Sequence, residues 1–185
     1  MLTHRFDDAL CHARALHDGQ VRKGTAIPYL SHLMAVSSLV LDHDGDEEQA
    51  IAGLLHDAIE DAGQTRASLS ARHGDRVARI VQECSDSFGG AEKAPWSDRK
   101  QAYLASIATK SADAILVTAC DKLHNALAIR SDLGVIGPAV FDRFTAGRDG
   151  TLWYYDELAR ALALRAPAPL ADRLSEVVAD IRARA

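Results

Sequence analysis

Apolar residues recur along most of the chain at intervals of three and four positions, which is the spacing of one face of an α-helix. The first stripe begins with Leu2, Phe6 and Leu10 and continues to Leu16, and Gly19 follows it. Strand-like alternation of apolar and polar residues is almost absent. The pattern therefore predicts an all-α protein.

Glycine, proline and capping residues divide the rest of the chain into further predicted helices. These cover residues 29–42, 46–63, 65–74, 75–86, 98–109, 112–131, 135–147, 151–165 and 168–185. Thr65, Ser97 and Ser111 are predicted N-caps, since a hydroxyl there can accept a bond from a free helical N–H. Residues 21–28 and 87–96 are predicted loops. The expected architecture is a compact bundle of roughly eight to ten helices.

The chain's size and composition suit one globular domain spanning residues 1–185. It has 185 residues, of which 48% are hydrophobic and 25% charged. The N-terminus has no long apolar stretch, and the three cysteines form no C-x-x-C pair, so we expect a cytoplasmic protein without a membrane partner. A net charge of -5 argues against a nucleic-acid partner bound through a global basic field.

The predicted helix 46–63 carries a group of polar residues in the stretch "GLLHDAIEDAG". At 100° per residue, His56, Asp57, Glu60 and Asp61 lie together, opposite an apolar stripe. A solvated helix face is one reading. The small residues 50, 52 and 53 border the polar face, however, and would let another helix approach closely. Charges approached in that way need partners.

Two other residues lie on apolar sides of predicted helices. Asp121 belongs to a helix that is apolar over most of its circumference, and His32 lies beside Val36. A salt bridge to an arginine would explain the first, and a core histidine with one hydrogen bond the second. Together with His56 and Asp57, they also form a ligand set that suits a divalent Mn, Fe, Co, Ni or Zn ion.

The order H…HD…D resembles the metal signature of the HD-domain phosphohydrolases. The segments "RKGTAIPYLSH", "LLHDAIEDA", "PWSDRKQAYLASI" and "ACDKLHNALAI" are similar to the alarmone hydrolase branch of that family. This branch comprises the hydrolase domain of RelA/SpoT-type enzymes and the stand-alone small alarmone hydrolases. The resemblance spans roughly residues 4 to 160. It implies an HD-domain helical bundle.

The resemblance also implies a site. It assigns one divalent metal, manganese in most members, to His32, His56, Asp57 and Asp121, and the activation of water to Glu60 and Asp61. Substrate contacts fall on Arg22, Lys23, Asn125, Arg99 and Lys100; Tyr154 is a further candidate that stacks on a base or packs in the core. The chain departs from the family pattern at Leu33, where proline is common, at "ECSDS", and at Ser97, where a third basic residue is common.

The implied activity is that of a guanosine-3′,5′-bis(diphosphate) 3′-pyrophosphohydrolase: hydrolysis of the 3′-pyrophosphate of (p)ppGpp-type alarmones, giving GDP or GTP and pyrophosphate. The same chemistry on (p)ppApp or on a related nucleotide such as NADPH is an alternative. A non-catalytic alarmone-binding module is another, although such a module has no need of Glu60 and Asp61. The sequence leaves the preferred base, the loaded metal and the oligomeric state open.

Overall fold

The computed structural model of the protein describes residues 1–86 and 94–185. Within these ranges it contains ten α-helices, one 3₁₀ helix and no β-strand. The predictions of an all-α architecture and of roughly eight to ten helices are therefore confirmed. Most of the predicted loop 87–96, from residue 87 to residue 93, lies outside the described residues. No helix in the described part is long and apolar enough to cross a membrane.

The helices follow one another in the order α1 to α10, and the 3₁₀ helix lies between α8 and α9. Their bounds are α1 His4–Leu16, α2 Leu30–Asp42, α3 Glu47–Leu55, α4 Ala58–Asp61, α5 Arg66–His73, α6 Asp75–Cys84, α7 Trp96–Ser106, α8 Ala112–Ile136, the 3₁₀ helix Gly137–Arg143, α9 Gly147–Ala163 and α10 Ala168–Arg184.

Two of the three predicted N-caps are present. The Thr65 side chain accepts a hydrogen bond from the Ser68 amide, and the Ser111 side chain accepts one from the Ala114 amide. The prediction for Ser97 is wrong, because α7 already begins at residue 96. Pro95 occupies the N-cap position with φ -48° and ψ 145°, so the helix starts two residues earlier than a cap at Ser97 would place it.

The predicted helix 46–63 is interrupted where its polar group begins. α3 ends at Leu55, and a separate single turn, α4, begins at Ala58. Asp57 lies between them with φ -97° and ψ 2°, outside the helical region. The prediction of one continuous helix is therefore wrong, and so is the wheel that placed His56 on a polar face: its side chain is only 3% exposed.

The long helix α8 passes through the core, and residues 114–121 are all buried. It packs against α2, α3, α6 and α10. The helices α2 and α3 approach each other closely, since a Cβ at Gly53 would lie 3.1 Å from the Ser37 Cα. The Ser37 hydroxyl also donates to the Ala50 carbonyl over 2.9 Å. The small residues of α3 thus permit the close approach that the sequence predicted.

The loop between α1 and α2 is closed by backbone pairing. Val21 and Pro28 form an isolated antiparallel bridge, and the Arg22 amide donates to the Ile27 carbonyl over 2.8 Å. Gly24 has a φ of +72°, a conformation that costs glycine little. The bridge fixes the two basic residues 22 and 23 near the middle of α8, where Arg22 reaches Asn125.

Candidate functional site

Side chains from three separate parts of the fold converge beside α8. His32 from α2 and His56 at the end of α3 direct their Nε2 atoms toward Asp57 and Asp121. The Asp57 Oδ2 lies 3.0 Å from His56 Nε2 and 3.9 Å from His32 Nε2. The Asp121 Oδ1 lies 3.3 Å from His32 Nε2 and 3.6 Å from His56 Nε2. Each of the two Nε2 atoms thus lies within 3.9 Å of both carboxylates.

The arrangement fits a metal ion. One ligand atom each from His32, His56 and Asp57 lies within 4.8 Å of the other two. The His56 Nε2 atom is buried and has no hydrogen-bond partner among the described residues, although the Asp57 carboxylate is close. A buried nitrogen of this kind needs a partner. Imidazole and carboxylate together suit a first-row divalent cation.

Neighbouring groups orient the candidate ligands. The Gly53 carbonyl lies 2.8 Å from His56 Nδ1, and the His124 Nδ1 lies 2.8 Å from His32 Nδ1. Both contacts leave the Nε2 atoms facing the centre. The Tyr29 hydroxyl donates to Asp57 over 2.5 Å. Such contacts fix the tautomer and the direction of a metal ligand.

The second carboxylate of the centre, Asp121, has two further hydrogen-bond partners. Lys122 donates to its Oδ2 over 2.6 Å, so its cationic partner is a lysine rather than an arginine. Asn125 donates to its Oδ1 over 2.6 Å and accepts from Arg22 over 2.8 Å. Asn125 therefore joins the candidate metal centre to the basic loop at residues 22 and 23.

The electrostatics of the centre favour a positive charge between the two carboxylates. Burial by itself lowers the pKa of His56, but the adjacent charges of Asp57 and Asp121 outweigh it and raise that pKa well above its usual value. Burial raises the pKa of each carboxyl, yet charges close by hold both below the ordinary range. A proton on His56 or a bound cation would each supply a positive charge beside the two carboxylates. The proton and the cation would therefore compete.

Glu60 and Asp61 are adjacent in the sequence but lie in different surroundings. Burial, followed by the neighbouring Asp86 and Asp57 carboxylates, raises the pKa of Glu60 to about 7. Asp61 is exposed and accepts a hydrogen bond from Gln20 over 3.1 Å. Glu60 therefore has the protonation behaviour that a general base or acid needs near neutral pH.

The basic pair of α7 meets a carboxylate that the sequence did not single out. Lys100 and Arg99 lie 2.5 Å and 3.2 Å from Asp86, whose side chain is only 5% exposed. The Lys100 Nζ also lies 5.1 Å from the centre of the Tyr154 ring. Tyr154 is buried, and its hydroxyl has no hydrogen-bond partner within the described ranges. A cluster of charged and aromatic groups thus lies beside Glu60.

A cavity of about 390 Å³ opens beside the centre, between the loop 21–28, α8, the 3₁₀ helix and α9. Predicted substrate residues Arg22, Lys23 and Asn125 line it. Its aromatic lining consists of Tyr29, Phe144 and Tyr155 and does not include Tyr154. The cavity has the size and the mixture of apolar and basic groups that suit a small anionic ligand.

The sequence reasoning passed over several residues of the site. Tyr29, Lys122 and His124 contact the candidate ligands directly, and Asp86 contacts the α7 pair. Three of them lie in segments that carry the family resemblance, Tyr29 in "RKGTAIPYLSH" and Lys122 and His124 in "DKLHN", so position in a motif was an available signal. Asp86 had no such signal, because its partners Arg99 and Lys100 belong to another helix.

Comparisons with known proteins identify the family of the chain. The model of the HD domain family matches residues 9–152. The bifunctional (p)ppGpp synthase/hydrolase SpoT of Escherichia coli K12 is 29% identical over 86% of this chain and 22% of its own length. A guanosine-3′,5′-bis(diphosphate) 3′-pyrophosphohydrolase of Haemophilus influenzae is 32% identical over 61% of this chain and 17% of its own. The chain therefore spans about a fifth of these curated relatives.

Solved structures match over more of their length. A metazoan ortholog of SpoT, described as hydrolysing ppGpp, superimposes with a TM-score of 0.80 and 26% identity, over 96% of this chain and 95% of that one. The lmo0812 protein of Listeria monocytogenes EGD-e gives a TM-score of 0.69 and 26% identity, over 80% and 96% of the two chains. The family match covers most of the residues, including all four candidate ligands, and the chain belongs to the HD domain family.

Proposed function

We propose that the protein is a metal-dependent hydrolase that removes the 3′-pyrophosphate of a (p)ppGpp-type alarmone. The observation that carries this proposal is the convergence of His32, His56, Asp57 and Asp121 next to a cavity lined by basic residues. The names of its relatives support the substrate class, as does the metazoan protein that hydrolyses ppGpp.

In this proposal the four converging residues hold one divalent cation, and manganese is the candidate ion. A cation bound there would lower the pKa of a coordinated water, so that hydroxide is available near neutral pH. The Gly53 carbonyl, His124 and Tyr29 keep the ligand atoms directed at one point. Their contribution is preorganisation of the centre.

Glu60 is the proposed base. Its pKa of about 7 lets it hold a proton taken from the attacking water and release it again. The water adds to the phosphorus nearer the ribose, and the bond from that phosphorus to O3′ breaks. The 3′ oxygen leaves with a proton, so that ppGpp and water give GDP and pyrophosphate. Asp61, which is more exposed, positions Gln20 and the adjoining loop.

Basic residues flank the centre on two sides and offset the substrate's negative charge. Arg22 and Lys23 line the cavity, where they would meet the nucleoside and its 5′-phosphates. Arg99 and Lys100 lie on the side of Glu60, where they would meet the departing pyrophosphate, with Tyr154 beneath Lys100. A net acidic chain can bind a polyanion in this way because the cations line one cleft. The proposed unit is the whole span 1–185 as one HD-type domain.

The test is the product profile. The protein is loaded with manganese and incubated with ppGpp, ppApp and NADPH, and the products are separated by anion exchange. We expect GDP and pyrophosphate in equal amounts from ppGpp, and no turnover after chelation. Orthophosphate as the main product would contradict cleavage at O3′. Tight binding of ppGpp without any product, with manganese present, would identify a binding module instead.

A further inference from the structure

An ion pair in the wall of the cavity, away from the candidate metal, has no part in the reaction described so far. Arg143, the last residue of the 3₁₀ helix, donates to the Asp132 Oδ2 on α8 over 2.5 Å. Both side chains line the cavity, and both are partly sheltered, with exposures of 21% and 35%. The pair joins α8 to the 3₁₀ helix that directly follows it.

The position of Arg143 is fixed by the loop that carries the basic residues. A Cβ at Gly24 would lie only 2.6 Å from the Arg143 Cδ, so the stem of the arginine rests on the glycine backbone. Replacement of that glycine would displace the side chain. Arg143 is therefore held on both sides, by the loop 21–28 and by Asp132, which distinguishes it from a solvated surface arginine.

The pair keeps unused hydrogen-bonding capacity on the cavity side. Within the described residues, Asp132 Oδ1 and Arg143 Nη2 have no hydrogen-bond partner. One is an acceptor and the other a donor. The neighbouring cavity residues Ile129 and Phe144 are apolar. A planar ligand that enters between these apolar groups would meet an acceptor and a donor side by side.

The distance along α8 determines which part of a nucleotide meets this pair. Asp121, Asn125 and Asp132 follow one another along the helix, and eleven residues at 1.5 Å each place Asp132 about 16 Å beyond Asp121. With the 3′-phosphates at the metal and the ribose near Asn125, the base extends toward Asp132. The edge that arrives there is the one remote from the sugar, which in purines carries N1 and the substituent at C6.

We propose that Asp132 and Arg143 read this edge of the purine and set the choice between guanine and adenine. This inference rests on the proposed function. Adenine presents a donor at N6 beside an acceptor at N1, and guanine presents donors at N1 and N2 beside an acceptor at O6. Either base can hydrogen-bond to the carboxylate and the guanidinium at once, but the two bases would have to sit in different positions to do so. Because Asp132 and Arg143 are held in place, they favour one of the two bases. The shared chemistry is a purine with adjacent donor and acceptor groups.

The test compares base preference, since a purely structural role would alter both substrates alike. For the manganese-loaded protein and for Asp132→Asn and Arg143→Gln, kcat/KM is measured with ppGpp and with ppApp. We expect the wild-type ratio of the two values, in whichever direction it lies, to fall about tenfold or more in each variant, because a hydrogen bond to a charged group is worth at least that factor. The matched control is Asp180→Asn, which removes a carboxylate on α10 that is paired with Arg184 and Arg130 and does not line the cavity.

Two results would overturn the inference: equal use of both bases by the wild type, or an unchanged ratio in folded variants. If no alarmone is cleaved at all, the proposed function fails, and base reading is then judged by the dissociation constants of GDP and ADP for the metal-free protein. A ratio of these constants that shifts in Asp132→Asn but not in Asp180→Asn supports the inference. A ratio that shifts in neither variant rejects it.

Discussion

Glu60 and Asp61 are adjacent in sequence but face different surroundings. Burial and the Asp86 carboxylate raise the pKa of Glu60 to about 7. We expect Glu60→Gln to retain manganese and to lower kcat by about 10²–10⁴-fold, the usual contribution of a general base. The rate should rise with pH and level off at or below pH 7, since only the ionised carboxylate accepts a proton and a bound cation lowers its pKa.

The measurement is a steady-state pH profile of pyrophosphate release, with manganese content determined on the same samples. Asp61→Asn serves as the matched comparison and should lose much less activity than Glu60→Gln. Equal losses in the two variants would contradict the assignment of the base to Glu60.

His124 supports a candidate ligand without belonging to the ligand set. If His32 uses Nε2 for the metal, its Nδ1 carries the proton and donates it to His124 over 2.8 Å. Burial, with the positive charge nearby, lowers the pKa of His124 to about 4, so it stays neutral and can accept. We expect His124→Ala to weaken manganese binding about 10–100-fold.

Titration calorimetry with manganese would measure this effect. His12→Ala, which removes a histidine from the distant contact with His73, is the control. An affinity for manganese as high in His124→Ala as in the wild type would show that His32 needs no such support.

At this scale the sequence was informative where residue type and spacing were unusual together. His32 and Asp121 attracted notice because polar groups on apolar helix sides need partners. Asp86 and Asp132 attracted none, since a carboxylate near a helix end is ordinary. The role of these two carboxylates depends on the side chains that folding brings next to them.

The break between α3 and α4 is the element that periodicity missed. Residues 46–63 have continuous helical spacing, so the pattern favours one helix. In the structure α3 ends at Leu55, and the backbone dihedral angles of Asp57 lie outside the helical region. The break directs both His56 and Asp57 at one point, which two successive helical positions do poorly. Functional sites are where local rules are expected to fail.

The close contact between α2 and α3 brings two candidate ligands together, and it depends on a glycine. In Gly53→Ala the new Cβ would lie 3.1 Å from the Ser37 Cα, a backbone atom that cannot move alone. We expect a loss of about 1–3 kcal/mol in the free energy of unfolding, as for other overpacked sites. Manganese affinity should fall as well, because His32 and His56 are moved apart.

Urea unfolding, followed by circular dichroism, would measure the change. Gly134→Ala in α8 is the control, since its Cβ would meet only the end of the Arg184 side chain at 3.3 Å. That variant should be neutral or more stable by up to about 1 kcal/mol, because alanine favours helix. Equal effects of the two substitutions would argue against a special contact at Gly53.

At the scale of the whole molecule, the candidate ligands join segments that are distant in sequence: α2, the turn after α3, and α8. A cation bound to them stabilises the folded state by mass action, by about 2.7 kcal/mol at a concentration one hundred times Kd. We expect the Tm to rise by several degrees when manganese replaces EDTA. Differential scanning calorimetry would measure this rise, and the same Tm in both conditions would contradict a site that spans these segments.

The overall architecture followed from the sequence because helical periodicity, caps and glycine or proline boundaries act locally. The way in which the helices meet did not follow. Arg22 and Asn125 are 103 residues apart yet hydrogen-bonded, and no periodic signal encodes that pairing. The cavity between the loop 21–28 and α8 could be found only from the folded chain.

The most direct test of the central claim is pyrophosphate release from ppGpp by Asp57→Ala, measured beside the wild type with manganese determined in both. Asp57 contacts His56 and Tyr29, and its carboxylate is one of the four candidate ligands. The account predicts that the variant, still folded, loses bound manganese and pyrophosphate release together. A folded Asp57→Ala protein that keeps its manganese and cleaves ppGpp at the wild-type rate would contradict the account.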